Sequence, residues 1–116
     1  MTVVRNGLPA RAAKHAADAL GLSMVDLSTK LRLGKTTLYS KYKHRRRLTS
    51  EESEKALRVA RAAAKAEHVL GDSGRNWLLS PCRALKNELP IDVLDTALGL
   101  QDVLAVLTRL EFGVYT

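Results

Sequence analysis

Apolar residues recur at helical spacing along most of the chain, and alternating strand patterns are nearly absent. From Ala13 to Leu20, alanines and a leucine stand at i, i+3, i+4 and i+7, the spacing of one buried helix face. Gly21 follows directly and suits the end of such a helix, because glycine adopts the left-handed conformation that often closes one. The pattern therefore predicts an all-helical fold whose first helix ends at Leu20.

A second, shorter helix is predicted after Gly21. Ser23 with Asp26 three residues later forms a capping-box pattern, and Leu27 and Leu31 supply a buried stripe. A tight turn ending at Gly34 follows.

A third helix is predicted over residues 35–43, with Leu38 and Tyr42 on its inward face. A helix, a tight turn and a short basic helix form a helix-turn-helix arrangement. Two positions depart from the usual pattern: Ser28 stands where a small alanine is common, and Arg32 stands where glycine is common. Arg32 is accordingly expected to adopt a positive φ, at a cost of about 1 kcal/mol.

Charge is unevenly distributed between the two halves of the chain. Residues 1–48 hold eleven basic and two acidic residues, for a net charge of +9, whereas residues 49–116 hold eight basic and ten acidic residues, for a net charge of −2. This division predicts a polyanion-binding N-terminal region over residues 1–48 and a second helical domain over residues 49–116.

Duplex DNA is the polyanion that a helix-turn-helix binds, with the second of its helices in the major groove. Side chains of that helix would read base edges, and basic residues on and beyond it would contact phosphates. The alternative that residues 44–47 form only a solvated basic loop stays open. The expected base-reading residues are Thr36, Thr37 and either Ser40 or Tyr39, and the expected phosphate contacts are Lys35, Lys43, Arg45, Arg46 and Arg47.

A longer helix is predicted from the capping box at residues 49–52 to Leu70, where Gly71 ends it. Leu57, Ala60 and Ala64 are expected to face inward along it. This helix begins the second domain.

Shorter helices follow, one of them carrying Trp77, the only tryptophan. Leu89-Pro90 predicts the start of another, with Gly99 as its end. The last helix carries a leucine and valine stripe from Leu100 to Leu110, ended by Gly113. As a large aromatic residue, Trp77 is expected to anchor these helices, with an interface role as the alternative.

The second half resembles the toxin-binding domain of Xre/MbcA/ParS-type antitoxins. The resemblance depends on the order and spacing of Trp77-Leu78, Pro90-x-x-x-Leu94 and the closing Arg-Leu-Glu-Phe-Gly of residues 109–113, and with the helix-turn-helix it covers about residues 15–115. One departure is the stretch 86–88, where family members more often carry a glycine-containing turn.

The resemblance implies the antitoxin of a bacterial type II toxin–antitoxin pair, usually partnered with a RES-domain toxin that consumes NAD. Such an antitoxin dimerises, covers the active-site cleft of the toxin with its C-terminal domain and represses its own operon. The apolar tail after Gly113 is itself expected to dock on a partner or across a dimer interface. The residues expected to contact the toxin are Arg109, Phe112, Val114, Tyr115 and Thr116.

Other classes of protein find little support in the chain. No apolar run of membrane-spanning length and no secretory leader stand out, so a cytoplasmic protein is expected. Cys82 stands alone, and the three histidines show no metal-binding spacing, so neither an enzyme nor a cofactor is expected. Two alternatives remain, a stand-alone dimeric helix-turn-helix repressor without a toxin and an architectural DNA-binding protein without sequence preference.

Overall fold

Every regular element is helical within residues 7–113, the part of the chain that the computed structural model describes. The only extended pairings there are two isolated β-bridges, Pro9 with Arg47 and Cys82 with Glu88. The all-α prediction is confirmed. The α-helices are α1 (Arg11–Leu20), α2 (Met24–Lys30), α3 (Thr37–Lys43), α4 (Ser50–Leu70), α5 (Gly74–Leu78) and α6 (Ala97–Glu111), and the 3-10 turns are Gly71–Ser73, Arg83–Leu85 and Pro90–Val93.

The chain divides into two compact units, the first ending at Leu57 and the second beginning at Arg58. The first holds α1 to α3 and residues 50–57 of α4, and the second holds the rest of α4 with α5 and α6. The domain boundary after residue 48, which charge predicts, stays a prediction. None of the described helices is long and apolar enough to cross a bilayer.

In the N-terminal unit, α1, α2 and α3 contact one another around a core of leucines and alanines. The apolar face predicted for α1 is buried, and Gly21 ends the helix at φ 68°. Ser23 begins α2 as predicted, because its Oγ accepts a hydrogen bond from the Asp26 amide at 3.0 Å. Leu27 and Leu31 are fully buried. The pattern of caps and leucines thus locates the first two helices correctly.

The turn between α2 and α3 explains both departures from the helix-turn-helix pattern. Arg32 adopts φ 57°, the left-handed conformation in which glycine is common. Ser28 is fully buried, and its Oγ accepts a hydrogen bond from the Leu38 amide at 3.2 Å. An alanine there would offer no acceptor, so the serine both fits the space and ties α2 to the start of α3.

Helix α3 is shorter than predicted and buries less of its surface. It begins at Thr37, because Lys35 and Thr36 lie in the preceding turn. Leu38 is fully buried, but Tyr42 is 39% exposed, so its predicted inward position is wrong. Leu38 is the residue through which α3 is buried, and the Tyr42 ring one turn further on stays at the surface.

Helix α4 begins with a reciprocal capping box. The Thr49 Oγ1 accepts from the Glu52 amide at 3.1 Å, and the Glu52 Oε1 accepts from the Thr49 amide at 2.8 Å. Two backbone N–H groups that a helix start leaves without partners are satisfied in this way. The predicted start and the predicted end at Leu70 are both confirmed.

The buried face of α4 differs from the predicted one. Leu57 is half-buried, while Ala60 and Ala64 are exposed. Alanines occupy several sides of this helix, so its apolar pattern selects no single face, and neighbouring elements decide which alanines are covered. The buried apolar residues of α4 are Ala56, Val59, Ala62 and Ala66.

In the C-terminal unit, Gly99 lies inside the first turn of α6 and does not end the preceding element, so that prediction is wrong. The Gly99 amide donates to the Thr96 Oγ1 at 3.0 Å, and Gly99 itself is buried. A Cβ added there would lie 1.7 Å from the Val93 carbonyl oxygen. This glycine therefore permits a close approach between α6 and the 3-10 turn Pro90–Val93.

The stripe predicted for α6 is largely confirmed. Leu100, Val103 and Leu107 are buried, together with Val106, and the chain turns at Gly113 with φ 71°. The unit thus depends on one amphipathic helix covered by short helices and 3-10 turns.

The stretch 86–88 forms a tight turn without glycine. Lys86 has φ 59° and Asn87 has φ 66°, and the Cys82 amide donates to the Glu88 carbonyl at 3.0 Å. Two left-handed residues in succession are the conformation that a glycine would adopt at less cost. The turn therefore has the backbone conformation that glycine favours, and Lys86 and Asn87 adopt it with some strain.

Candidate nucleic-acid interface and partner-binding domain

The outer face of α3 and its flanks form the first candidate site, which we call the recognition surface. The fully buried Leu38 holds the helix against the unit and leaves its opposite side open. Thr37 is only half-exposed, and its Oγ1 would lie 2.6 Å from a Cβ at Gly34, so it lies against the turn. The predicted base-reading and adjoining residues that are exposed are Lys35, Thr36, Tyr39 and Ser40.

The basic run (Lys43, Arg45, Arg46 and Arg47) continues directly from this surface, and all four side chains are exposed. Arg45 has φ 54°, so the chain reverses direction there. One nitrogen of Arg47, Nη1, donates to the Gly7 carbonyl at 3.0 Å, which ties this guanidinium to the segment before α1. The run is thus a structured element with at least one fixed side chain.

Lys41 belongs to the same basic stretch of sequence but is engaged elsewhere. Its Nζ lies 2.6 Å from the Glu52 Oε1. Burial raises the pKa of Glu52, but hydrogen bonds from Lys41 and Thr49 outweigh that effect and hold this pKa below its usual value. The ion pair stabilises the start of α4, and Lys41 is therefore not among the cations offered to a ligand.

Two residues that sequence reasoning missed lie beside the basic run. Arg11 and Tyr42 line the same concave surface as Lys43 and the three arginines. Arg11 is distant in sequence from the basic run, and Tyr42 was assigned to the inward face of α3. The pairing of residues 8–10 with residues 46–48 brings the start of α1 to this place.

The exposed end of α6 is the second candidate site. Phe112 is 73% exposed, and Arg109 is exposed one turn earlier. Both are predicted toxin contacts, and the structure leaves both side chains accessible. The other three predicted contacts, Val114, Tyr115 and Thr116, lie outside the described residues.

A cluster of charged groups holds this end of α6 against α4. Glu111 accepts from the Lys65 Nζ at 2.8 Å through Oε1, and its Oε2 lies 3.0 Å from the His68 Nε2. The Lys65 hydrogen bond, assisted by His68, lowers the pKa of Glu111 against a smaller opposing effect of burial. The carboxylate therefore stays ionised and keeps the exposed Phe112 on an anchored helix end.

A groove of mixed polarity adjoins Arg109. The outer side of α6 from Asp102 to Arg109 forms one of its walls, and the turn at Lys86 and Glu88 forms another.

Trp77 is half-buried, so the structure places it between the predicted core position and the alternative surface position. Among the described residues, no group of three histidine, cysteine or carboxylate side chains could hold a metal ion.

Three small helices with an exposed polar and basic face, followed by a second helical unit with an accessible aromatic end, define the class of helix-turn-helix proteins that carry a further helical domain. Comparison with known proteins makes this class specific. Residues 1–61 match the antitoxin Xre-like helix-turn-helix domain, and residues 65–113 match the antitoxin Xre/MbcA/ParS C-terminal toxin-binding domain. The chain therefore belongs to the Xre/MbcA/ParS antitoxin family, as an antitoxin of a toxin–antitoxin system with a toxin as its partner.

Two relatives have related names. The protein named Prs ADP-ribosylating antitoxin from Sphingobium sp. (strain YBL2) is 27% identical over 124 residues, which cover 97% of this chain and 78% of the relative. Antitoxin Xre from Yersinia enterocolitica serotype O:8 / biotype 1B (strain NCTC 13174 / 8081) is 34% identical over 76 residues. That alignment covers 63% of this chain and 51% of the relative, so it spans about half of the Yersinia protein.

Proposed function

We propose that this antitoxin binds its operator as a homodimer, represses its own operon, and neutralises a RES-domain toxin by covering the cleft in which that toxin consumes NAD. Both activities belong to the cytoplasm, and neither requires chemistry by the antitoxin itself. The observation that carries the proposal is that each unit has an accessible surface, a basic one beside α3 in the first and the exposed Phe112 with Arg109 at the end of α6 in the second.

DNA binding is supported by the position of the hydroxyl and basic side chains. In a helix-turn-helix, the second helix enters the major groove by its N-terminal turns. Thr36, Thr37 and either Ser40 or Tyr39 then read base edges, and Lys35 contacts the backbone. Lys43 and the three arginines of the basic run contact phosphates, which supply most of the sequence-independent affinity.

The proposed operator binding is tested with a DNA duplex that spans the promoter of the antitoxin's own gene. Affinity should fall steeply as salt rises, and Arg46→Ala should reduce the slope of log affinity against log salt by about one. Arg83→Ala, which removes the same charge from an exposed site in the C-terminal unit, is the matched control. Equal affinity for promoter and random duplexes would favour an architectural role, and a flat salt response would contradict the phosphate contacts.

Neutralisation of a RES-type toxin is supported by the family and by one relative's name. The Sphingobium relative carries the word ADP-ribosylating in its name, and since ADP-ribose for such a modification comes from NAD, the name fits a toxin–antitoxin pair that acts on NAD. The proposed contacts are Arg109, Phe112 and the tail of residues 114–116. A large exposed aromatic beside an arginine is typical of an interface anchor. Inhibition in this scheme is steric.

The toxin arm is tested by co-expression with the neighbouring open reading frame, scored by growth and by co-purification. Deletion of residues 114–116 and Phe112→Ala should each preserve helicity and weaken neutralisation. Leu98→Ala is the control, because Leu98 is 67% exposed at the other end of α6. Full neutralisation by both variants would remove this surface from the proposal.

Assembly and partner choice are tested on the same preparations. A homodimer predicts twice the monomer mass in light scattering and an operator footprint with two half-sites. Operator binding without a co-purifying partner would favour the alternative of a stand-alone repressor. A partner that leaves NAD intact when expressed alone would contradict the RES assignment.

A further inference from the structure

A cationic groove lies where the segment before α1 pairs with the basic run. The Ala10 amide donates to the Arg46 carbonyl at 3.2 Å, and the Leu48 amide donates to the Leu8 carbonyl at 2.7 Å. This pairing places Arg11, at the start of α1, beside side chains from the end of α3 and beyond. The polar and charged side chains that line the groove are Arg11, Tyr42, Lys43, Arg45, Arg46 and Arg47.

The described lining of this groove carries an excess of positive charge. Five of its eight lining residues are arginine or lysine, and none is acidic. Within residues 7–113, the carboxylates of Asp18 and Glu52 are engaged with Lys14 and Lys41, neither of which lines the groove. Collecting like charges on one concave surface is unfavourable, and the focused positive potential attracts an anion.

We propose that this groove binds one phosphodiester of the DNA backbone, held by the Arg11 guanidinium and the Tyr42 hydroxyl together with the basic run. The inference depends on the proposed DNA binding and adds two residues to it. Lys43 belongs both to α3 and to the groove lining, so a duplex that covers the recognition surface continues onto the groove. That continuity favours a backbone phosphate over a separate small anion.

The chemistry of the lining also matches a phosphate. Guanidinium groups present a rigid fork of donors to phosphate oxygens, and a phenol adds a neutral donor without adding charge. The bond from Arg47 to the Gly7 carbonyl pre-orders one guanidinium, so that less side-chain entropy is lost on binding. Because these contacts touch only the backbone, they contribute affinity without sequence preference.

The test compares Arg11→Ala with Arg61→Ala in the full-length protein. Arg61 is exposed on α4 outside the groove, so both variants lose one positive charge. Arg11→Ala should weaken binding to promoter and random duplexes by the same factor and lower the salt slope by about one. Because the affinity of the variant then falls less steeply with salt, its loss of affinity relative to the wild type should be about 3.5-fold larger at 50 mM salt than at 200 mM. Arg61→Ala should retain the wild-type slope.

Tyr42→Phe provides a second, independent test of the groove, because it removes a hydroxyl group and leaves the charge unchanged. It should weaken both duplexes about five-fold with an unaltered salt slope. Circular dichroism at 222 nm checks that each variant keeps wild-type helicity.

If Arg11→Ala has the same affinity and salt slope as Arg61→Ala while the wild type binds DNA, the groove is not a phosphate site and the proposed operator binding stands. If the wild type does not bind DNA, both fail. Inorganic phosphate that displaces the duplex at equal ionic strength, more strongly than chloride does, would instead identify a site for free anions.

Discussion

Replacing Gly99 with alanine is expected to destabilise the C-terminal unit, although helix propensity alone predicts the opposite. In an exposed helix interior, the change from glycine to alanine stabilises by about 1 kcal/mol. At Gly99, however, the new Cβ would lie 1.7 Å from the Val93 carbonyl oxygen and 3.1 Å from the Thr96 Oγ1. The first contact involves backbone, so a side-chain rotation cannot relieve it.

The magnitude follows from the movement that this contact requires. To reach even a tight contact of 3.0 Å, α6 and the turn Pro90–Val93 must separate by more than an ångström in a buried region. Overpacking of this kind costs about 1 to 3 kcal/mol or more. We take the upper part of that range because backbone must move, and after the gain in propensity the net loss is about 2 kcal/mol.

The assay is urea unfolding followed by tryptophan fluorescence. Trp77 is the only tryptophan and lies in α5 of the same unit, so its emission reports on the part of the chain that Gly99 belongs to. With an m-value of about 1 to 2 kcal/mol/M for a small unit, a loss of about 2 kcal/mol corresponds to a fall in the urea midpoint of roughly 1 to 2 M.

The control reverses the substitution at an open site of the same helix. Ala105 is exposed on α6, and Ala105→Gly should cost about 1 kcal/mol through propensity alone. If Gly99→Ala were as stable as the wild type or more stable, the close approach of α6 to Val93 would be refuted, and propensity would govern both sites.

Two further predictions concern the N-terminal unit. Ser28→Ala should lower its free energy of unfolding by about 1 to 3 kcal/mol, because the Leu38 amide loses its buried acceptor; urea unfolding followed by circular dichroism measures this, and an unchanged midpoint would contradict it. The pKa of Glu52 is lowered in the folded state, so its contribution to stability is complete above the unfolded value of about 4.5 and is lost as pH falls through the lower folded value. Glu52→Gln should therefore flatten the pH dependence of the free energy of unfolding in that acidic window. If this variant kept the pH dependence of the wild type, the dependence would come from other carboxylates.

Local chemistry accounts for the parts of the fold that sequence predicts well. Ser23 and Thr49 begin helices because a hydroxyl at that position satisfies an amide within three residues, a requirement that no distant contact can alter. The left-handed φ of Arg32 follows in the same way from the tight turn after α2. In the first two helices, apolar residues at regular spacing, alanines with Leu20 in α1 and leucines in α2, mark the buried face.

Contacts between distant residues account for what sequence misses. The alanines of α4 could cover almost any face, so Ala60 and Ala64 were assigned inward although neighbouring elements leave them exposed. Gly99 carries the residue type of a helix end, but its role depends on where the Val93 carbonyl lies. Arg11 joins the basic run through the pairing of residues 8–10 with residues 46–48, which no periodicity reveals.

Cationic residues occupy several left-handed positions at which glycine would cost less. Arg32, Arg45 and Lys86 all have φ between 54° and 59°. A left-handed conformation costs a residue with a side chain about 1 to 2 kcal/mol, and glycine escapes that cost while losing about 0.5 to 1 kcal/mol to the extra freedom of the unfolded chain. A glycine at Arg45 should therefore improve stability slightly, which raises the question of what the arginine contributes.

We expect Arg45→Gly to stabilise the protein and weaken its binding to DNA, because the strain and the proposed phosphate contact belong to the same side chain. The free energy of unfolding should rise by about 0.5 to 1 kcal/mol, and the salt slope of duplex binding should fall by about one. Lys86→Gly is the matched control, since it relieves the same strain and removes the same charge in the C-terminal unit. It should gain similar stability and bind DNA as the wild type does. Wild-type affinity in Arg45→Gly would mean that the arginine is merely tolerated in its turn, whereas opposite changes in stability and affinity would show that strain at this position is retained for DNA binding.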